Sequence, residues 1–79
     1  ELDPNDSEYY NNKGYSLESL LKHEEAIKCY DKAIELDPNY SNAYNNKGNS
    51  LESLLKYEEA IKCYDKAIEL DPNDSDAYN

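Results

Sequence analysis

Apolar residues recur along this chain at the three- and four-residue spacing of one helix face. The first half carries two such series, which are Tyr10, Leu17, Leu20 and Leu21, then Ala26, Tyr30, Ala33 and Leu36. This spacing is typical of amphipathic α-helices that place one face on a core. The second half repeats both series, so the pattern predicts an all-α chain with two pairs of short helices.

The pattern repeats after 34 residues, and the repetition is almost complete. Five positions differ between residues 7–40 and 41–74, namely Glu8/Asn42, Tyr9/Ala43, Tyr15/Asn49, His23/Tyr57 and Tyr40/Asp74. Such a period indicates an array of repeated structural units. We expect repeat 1 at 7–40, repeat 2 at 41–74, the tail of a preceding repeat at 1–6 and the start of a third repeat at 75–79.

Local signals predict where each helix begins and ends. The first helix of each repeat (helix A) is expected at about 7–20 and 41–54, with Ser7, Ser41 and Ser75 available as N-caps. The second helix (helix B) is expected at about 24–36 and 58–70. Each helix B should stop before Pro38 or Pro72, because proline disfavours helical geometry in the preceding residue.

The segments Y-N-N-K-G-x-S-L and E-E-A-I-K-C-Y-D-K-A-I-E-L-D-P resemble the tetratricopeptide repeat family over essentially the whole chain. Small residues stand where helices approach closely, and aromatic residues stand where hairpins meet; these are Gly14, Gly48, Ala26, Ala60, Ala33, Ala67, Tyr10, Tyr30, Tyr44 and Tyr64. The resemblance implies a right-handed superhelical solenoid of antiparallel helical hairpins, with the A helices lining a concave groove.

The chain departs from the family pattern at two pairs of positions. Lys13 and Lys47 stand where a large apolar residue is usual, and we expect their alkyl stems to lie on apolar surface. Leu21 and Leu55 stand where glycine often separates the helices. A helix A that continues straight into helix B and exchanges partners between chains is therefore an alternative to the hairpin, although Ala26 and its repeat favour the hairpin.

The resemblance implies that a ligand binds along the A helices. The expected groove residues are Glu8, Asn11, Asn12, Tyr15, Glu18, Ser19, Asn42, Asn45, Asn46, Asn49, Glu52 and Ser53. Asn12 and Asn46 are similar to the asparagine ladder with which family members hold extended peptides. The basic clamp that grips an acidic C-terminal carboxylate is missing, because its positions carry Asn11, Tyr15 and Asp76.

Composition narrows the classes of partner. The net charge is −10 and all eight basic residues are lysine, which argues against nucleic acid as a partner. No apolar run is long enough to span a membrane, and no secretory segment opens the chain. We therefore expect a cytoplasmic protein that does not bind membranes.

The chain offers no set of residues for catalysis or for a cofactor. His23 is its one histidine, and it lies six residues from Cys29 on a different side of helix B. Cys29 and Cys63 occupy equivalent sites on successive helices, too far apart for a disulfide. We expect no enzyme activity, no metal and no cofactor. Tyr15 and Tyr57 are candidate aromatic anchors. For Tyr57, which the family pattern places against the hairpin turn, plain helix surface is the favoured interpretation.

Two functions remain open at this point. The first is a protein interaction scaffold that binds an extended neutral or basic polypeptide in an asparagine-lined groove. The alternative is a structural repeat that self-associates end to end, as a stacked superhelix or a swapped oligomer. Near-identical repeats also fit an engineered or recently duplicated array.

Overall fold

The computed structural model describes residues 6–72, and these contain four helices and no strand. The helices are α1 (Ser7–Ser19), α2 (His23–Leu36), α3 (Ser41–Ser53) and α4 (Tyr57–Leu70). α1 packs against α2 and α3 against α4, while α2 also packs against α3. The predicted all-α arrangement of helical hairpins is confirmed. Residues 1–5 and 75–79, where the neighbouring repeats were expected, lie outside the described residues.

Each hairpin turn closes with two backbone hydrogen bonds after helix A ends. The N–H of Leu21 donates to Glu18 O and the N–H of Lys22 donates to Leu17 O, both at 2.9 Å. Leu21 takes a positive φ of 62° and Leu55 a φ of 65°. This combination is a Schellman motif, which reverses the chain after a helix. The alternative in which helix A runs straight into helix B is therefore wrong for this structure.

The predicted N-caps at Ser7 and Ser41 are also wrong, while Ser75 lies outside the described residues. α1 is capped by Asp6, whose Oδ1 accepts a hydrogen bond from Glu8 N at 3.0 Å, and α3 begins after Tyr40 without a side-chain cap. Ser7 and Ser41 are the first residues inside their helices. An N-cap side chain must accept a hydrogen bond from a residue two or three positions further on, and Asp6 provides such an acceptor one position earlier.

Glycine brings the two helices of each hairpin together. A Cβ atom on Gly14 would lie 2.6 Å from Cε1 of Tyr30, and one on Gly48 would lie 2.6 Å from Cε1 of Tyr64. Tyr30 is fully buried in this contact. The small residue and the aromatic ring thus form one packing unit within each repeat.

A second core joins the two repeats. Leu51, Ala60 and Cys63 are buried together, and Ile27 of α2 packs against them. Lys47 lies beside this core with its ammonium 2.6 Å from Asp31 Oδ1. The side chain is about a quarter exposed, so its stem is covered while its charge is paired, in the manner expected for an amphipathic lysine.

Candidate peptide-binding face on α1 and α3

α1 and α3 lie side by side, and hydrogen bonds between their side chains hold them in register. Asn46 Nδ2 of α3 donates to Asn11 Oδ1 of α1 at 3.0 Å. Ser50 Oγ of α3 donates to Glu18 Oε1 of α1 at 2.7 Å. All twelve predicted groove residues lie on these two helices. The structure divides them into a group used between the helices and a group exposed to solvent.

Asn11 and Asn45 are not exposed groove residues, because each is only 7% exposed. Asn11 accepts from Asn46 and donates from Nδ2 to the Tyr40 hydroxyl at 3.3 Å. Its amide therefore links α1 to the second repeat. Asn46 is half-buried and uses an N–H of its amide in the same link. The predicted ladder of Asn12 and Asn46 consequently retains only Asn12 with an exposed side chain.

Glu18 is the centre of a second link between the repeats. Its Oε1 lies 2.9 Å from His23 Nδ1, and its carboxylate also accepts from Ser50 and from Ser53 Oγ, the latter at 3.3 Å. Burial acts to raise the pKa of the Glu18 carboxyl, but the surrounding hydrogen bonds and the charge of His23 outweigh it and lower the pKa. The Glu18 carboxylate thus already binds side chains of its own protein, so it is not a free acceptor for a ligand.

Ser50 and His23 were missed as members of this cluster by the sequence analysis. Ser50 is fully buried, and it lies seven residues after the buried Ala43, on the same face of α3. That seven-residue spacing was a signal from which the burial of Ser50 could have been predicted. The contact of His23 with Glu18 could not have been predicted in this way, because it depends on how the hairpin turn closes.

The remaining residues of the predicted set form an exposed surface, here called the A-helix face. Its members are Glu8, Asn12, Tyr15, Ser19, Asn42, Asn49, Glu52 and Ser53. Tyr15 is 64% exposed and is the large aromatic side chain of this face. Ser19 and Ser53 donate to backbone carbonyls one turn earlier, those of Tyr15 and Asn49. The amides of Asn12 and Asn42 have no hydrogen-bond partner among residues 6–72.

Tyr64 of α4 reaches the edge of the A-helix face. Its hydroxyl lies 2.7 Å from both Asn49 Oδ1 and Glu52 Oε1, which share its one proton as acceptors. Burial, together with the hydrogen bond and negative charge of Glu52, raises the pKa of the Tyr64 hydroxyl. This tyrosine therefore stays neutral and orients both acceptors.

Tyr57 is the first residue of α4, directly after the hairpin turn, and its side chain is 55% exposed. Its counterpart in repeat 1 is His23, which turns to the Glu18 carboxylate. Tyr57 is thus an exposed aromatic residue off the A-helix face.

The geometry argues against nucleophilic chemistry at Ser50, Cys29 and Cys63. In the cluster of Ser50, Glu18 and His23 the carboxylate lies between the other two, whereas a base must lie between a nucleophile and its orienting acid. Burial raises the pKa of the thiols of Cys29 and Cys63, which disfavours the reactive thiolate. Residues 6–72 contain no group of three or more potential metal ligands.

A depression is lined by side chains of α2, α3 and α4. Its volume is about 440 Å³, and Ile27, Leu51 and Leu54 form part of its lining. Both lysine and carboxylate side chains surround it, so it favours neither sign of charge. Among the described helices, none has the length and apolar composition required to cross a membrane.

Comparison with solved structures shows close likeness over nearly the whole chain. The structure of MamA matches with a TM-score of 0.91 and 30% identity, covering 98% of this chain and 45% of that one. The Arabidopsis OM64 TPR domain matches with a TM-score of 0.93 and 28% identity, covering 96% and 63%. The first TPR of Spaghetti (RPAP3), bound to the HSP90 peptide SRMEEVD, matches with a TM-score of 0.92 and 32% identity, covering 98% and 61%.

The chain thus spans between 45% and 63% of the lengths of these three structures. Among curated protein sequences, none matches it significantly. The family model of the tetratricopeptide repeat matches residues 7–40 and again residues 41–74. Because the two matches cover most of the chain and coincide with the two helical hairpins, the chain belongs to the tetratricopeptide repeat family.

Proposed function

We propose that this chain is a protein interaction scaffold whose A-helix face binds an extended polypeptide of neutral or basic character. The observation that carries the proposal is the exposed Tyr15 beside amides that the protein itself does not use. Tyr15 is 64% exposed on α1, and Asn12 is exposed three residues earlier. An aromatic anchor beside free polar groups is a common arrangement in protein interfaces.

Side-chain amides suit an extended ligand in particular. Each amide offers both donors and an acceptor, so it can pair with the N–H and C=O groups of a peptide backbone regardless of side-chain sequence. Asn12 and Asn42 are exposed for this purpose. Asn49 keeps its amide N–H groups for a ligand while its oxygen accepts from Tyr64.

The charge of the face selects among ligands. Glu8 and Glu52 are exposed on it, and the lysine of α3 is turned away towards Asp31. A lysine- or arginine-containing segment gains favourable electrostatic energy here, whereas a peptide rich in carboxylates is repelled. We therefore expect weak binding of the acidic peptide SRMEEVD that occupies the Spaghetti TPR.

A peptide titration tests the proposal. The probes are three fluorescent unstructured peptides of equal length, one neutral, one basic and the third containing SRMEEVD, measured by anisotropy with wild type, Tyr15→Ala and Tyr57→Ala. Tyr57 is the matched control because it is 55% exposed but lies on α4. Tyr15→Ala should weaken the basic peptide by about 1–3 kcal/mol, roughly 5- to 150-fold, and Tyr57→Ala should leave it unchanged.

The outcomes that oppose the proposal are equally specific. Equal loss in Tyr15→Ala and Tyr57→Ala places binding elsewhere, and tighter binding of the acidic peptide than of the basic one contradicts the charge argument. Asn12→Ala is preferred to the double change with Asn46, because Asn46 also holds the two repeats together through Asn11. Asn12→Ala should weaken binding without lowering the melting temperature.

A further inference from the structure

The two hairpin turns carry leucine where neither backbone geometry nor packing favours it. Leu21 and Leu55 have positive φ values of 62° and 65°, a region that leucine adopts only at a cost in free energy. Their side chains are 75% and 70% exposed, so each packs little against its own protein. The fold therefore does not require leucine at either turn. Backbone strain that is kept at such a position is a feature of functional sites.

Contact with a neighbouring repeat does not cover the turn leucine. Leu21 has the second repeat beside it, whereas no described repeat follows Leu55. Leu21 is nevertheless the more exposed of the two, at 75% against 70%. The exposure is thus a property of the turn itself and persists where repeats stack on one another.

A shallow hollow, here called the turn hollow, lies where the two turns meet. Its volume is about 300 Å³, and its apolar lining comes from Leu21 of the first turn and the half-buried Leu54 of the second. A hollow of about 270 Å³ occurs again at residues 55–59, which are the counterparts of residues 21–25. The feature therefore recurs with the repeat, and the turn hollow is complete within the described residues.

The lining of the turn hollow is more acidic than basic. Glu24 and Glu25 are exposed and form no ion pair within residues 6–72, and Lys22 is the one lysine of the lining. His23 is directed to the Glu18 carboxylate. Together with the net charge of −10, this excess of carboxylates favours a partner that brings lysine or arginine.

We propose that the turn hollow binds an amphipathic basic helix of a partner protein. A large apolar side chain of that helix lies against Leu21 and Leu54, and its lysine or arginine residues lie beside Glu24 and Glu25. Removal of the apolar surfaces from water stabilises the complex. The turn hollow shares no residue with the A-helix face, so this second interaction surface is independent of the proposed function.

A helical peptide titration on the full 79-residue chain tests the proposal. The probe is a fluorescent peptide of about 18 residues, built from leucine and lysine with its leucines on one face. Leu21→Asn removes the apolar contact but keeps the turn, because asparagine adopts the left-handed conformation readily, and it leaves the net charge unchanged. Anisotropy should show binding at least roughly tenfold weaker for Leu21→Asn than for wild type. Its melting temperature should be no lower.

Two control variants separate the turn hollow from other surfaces. Leu36→Asn makes the same change on an exposed leucine at the other end of α2, and Tyr15→Ala alters the A-helix face. Both should bind the leucine–lysine peptide as wild type does. A loss in either variant equal to that in Leu21→Asn would overturn the proposal, and so would the absence of saturable binding up to about 1 mM.

Further measurements test the chemistry of the partner. A peptide in which glutamate replaces every lysine should bind at least roughly tenfold more weakly, and equal or tighter binding of it would overturn the charge argument. Sedimentation velocity without peptide and co-sedimentation with phosphatidylcholine vesicles test two other occupants. Self-association or vesicle binding that Leu21→Asn abolishes would assign the turn hollow to a second copy or to a membrane surface, and would overturn the proposal.

Discussion

Leu21 and Leu55 adopt the same left-handed backbone conformation at the same point of the two hairpin turns, with φ values of 62° and 65°. A Cβ atom makes this region unfavourable by about 1–2 kcal/mol relative to ordinary helical geometry. Both side chains are also largely exposed, at 75% and 70%. The turn therefore has the geometry of a glycine-ended helix but carries leucine.

Glycine at either position should stabilise the protein. We expect Leu21→Gly or Leu55→Gly to raise the free energy of unfolding by about 1 kcal/mol, because the strain is removed and little packing is lost. Urea denaturation measures the change. Leu20→Gly is the matched control, since Leu20 is 66% exposed with a φ of −89° and should give no gain. A loss of stability in both turn variants would contradict the strain argument.

Alanine in place of glycine should have the opposite effect inside the hairpins. Gly14→Ala places a methyl group against the buried Tyr30 ring, so we expect a net loss of about 1–3 kcal/mol even though alanine favours helices. Gly48→Ala should cost less, because Tyr64 is only partly buried and its ring has more room to move. Thermal unfolding of the two variants gives the comparison, and equal costs would show that ring burial does not decide the effect.

The two buried asparagines should respond differently to the same substitution. Asn11→Ala removes the partner of both Asn46 and Tyr40, so we expect a loss of about 1–3 kcal/mol. Asn45→Ala removes a carbonyl oxygen that no described residue satisfies, so its cost should be smaller by about 1 kcal/mol or more. Chemical denaturation at low micromolar concentration measures both. A larger loss for Asn45 than for Asn11 would contradict this interpretation.

Acid should weaken the link between the repeats at Glu18. The folded state lowers the pKa of this carboxyl from its ordinary value of 4.5, so its contribution is full above the unfolded pKa and is lost as pH falls through the folded pKa. The melting temperature of Glu18→Gln should therefore lie below that of wild type at pH 7, and the gap should close as the pH falls below about 4.5.

Glu52→Gln is the control for the acid response, because Glu52 stands at the equivalent position of repeat 2 and its carboxylate is exposed. Melting curves at steps of half a pH unit between about pH 3 and pH 7 cover the window in which carboxylates titrate. A gap between wild type and Glu18→Gln that stays constant across this range would mean that the Glu18 charge does not stabilise the fold.

The sequence by itself left the hairpin turn open, but it determined the two repeats and their four helices. These features depend on spacing along the chain, since a 3.6-residue period selects one helix face and a 34-residue period brings equivalent faces together. The close contact of Gly14 with Tyr30 was not predicted, because the resemblance placed Tyr30 where hairpins meet and the structure packs its ring within the first hairpin. The helix ends depend on single capping side chains, and the sequence placed the N-cap of α1 at Ser7 where the structure has Asp6.

Only the tertiary structure decided which polar residues remain available to a ligand. Asn11 and Asn12 are adjacent and chemically identical, yet the first is buried between the repeats and the second is exposed. The difference arises because neighbouring positions on a helix point about 100° apart, and the second repeat covers one direction and leaves the other open. The same docking of α3 on α1 turned Glu18 from an expected ligand contact into a link between repeats.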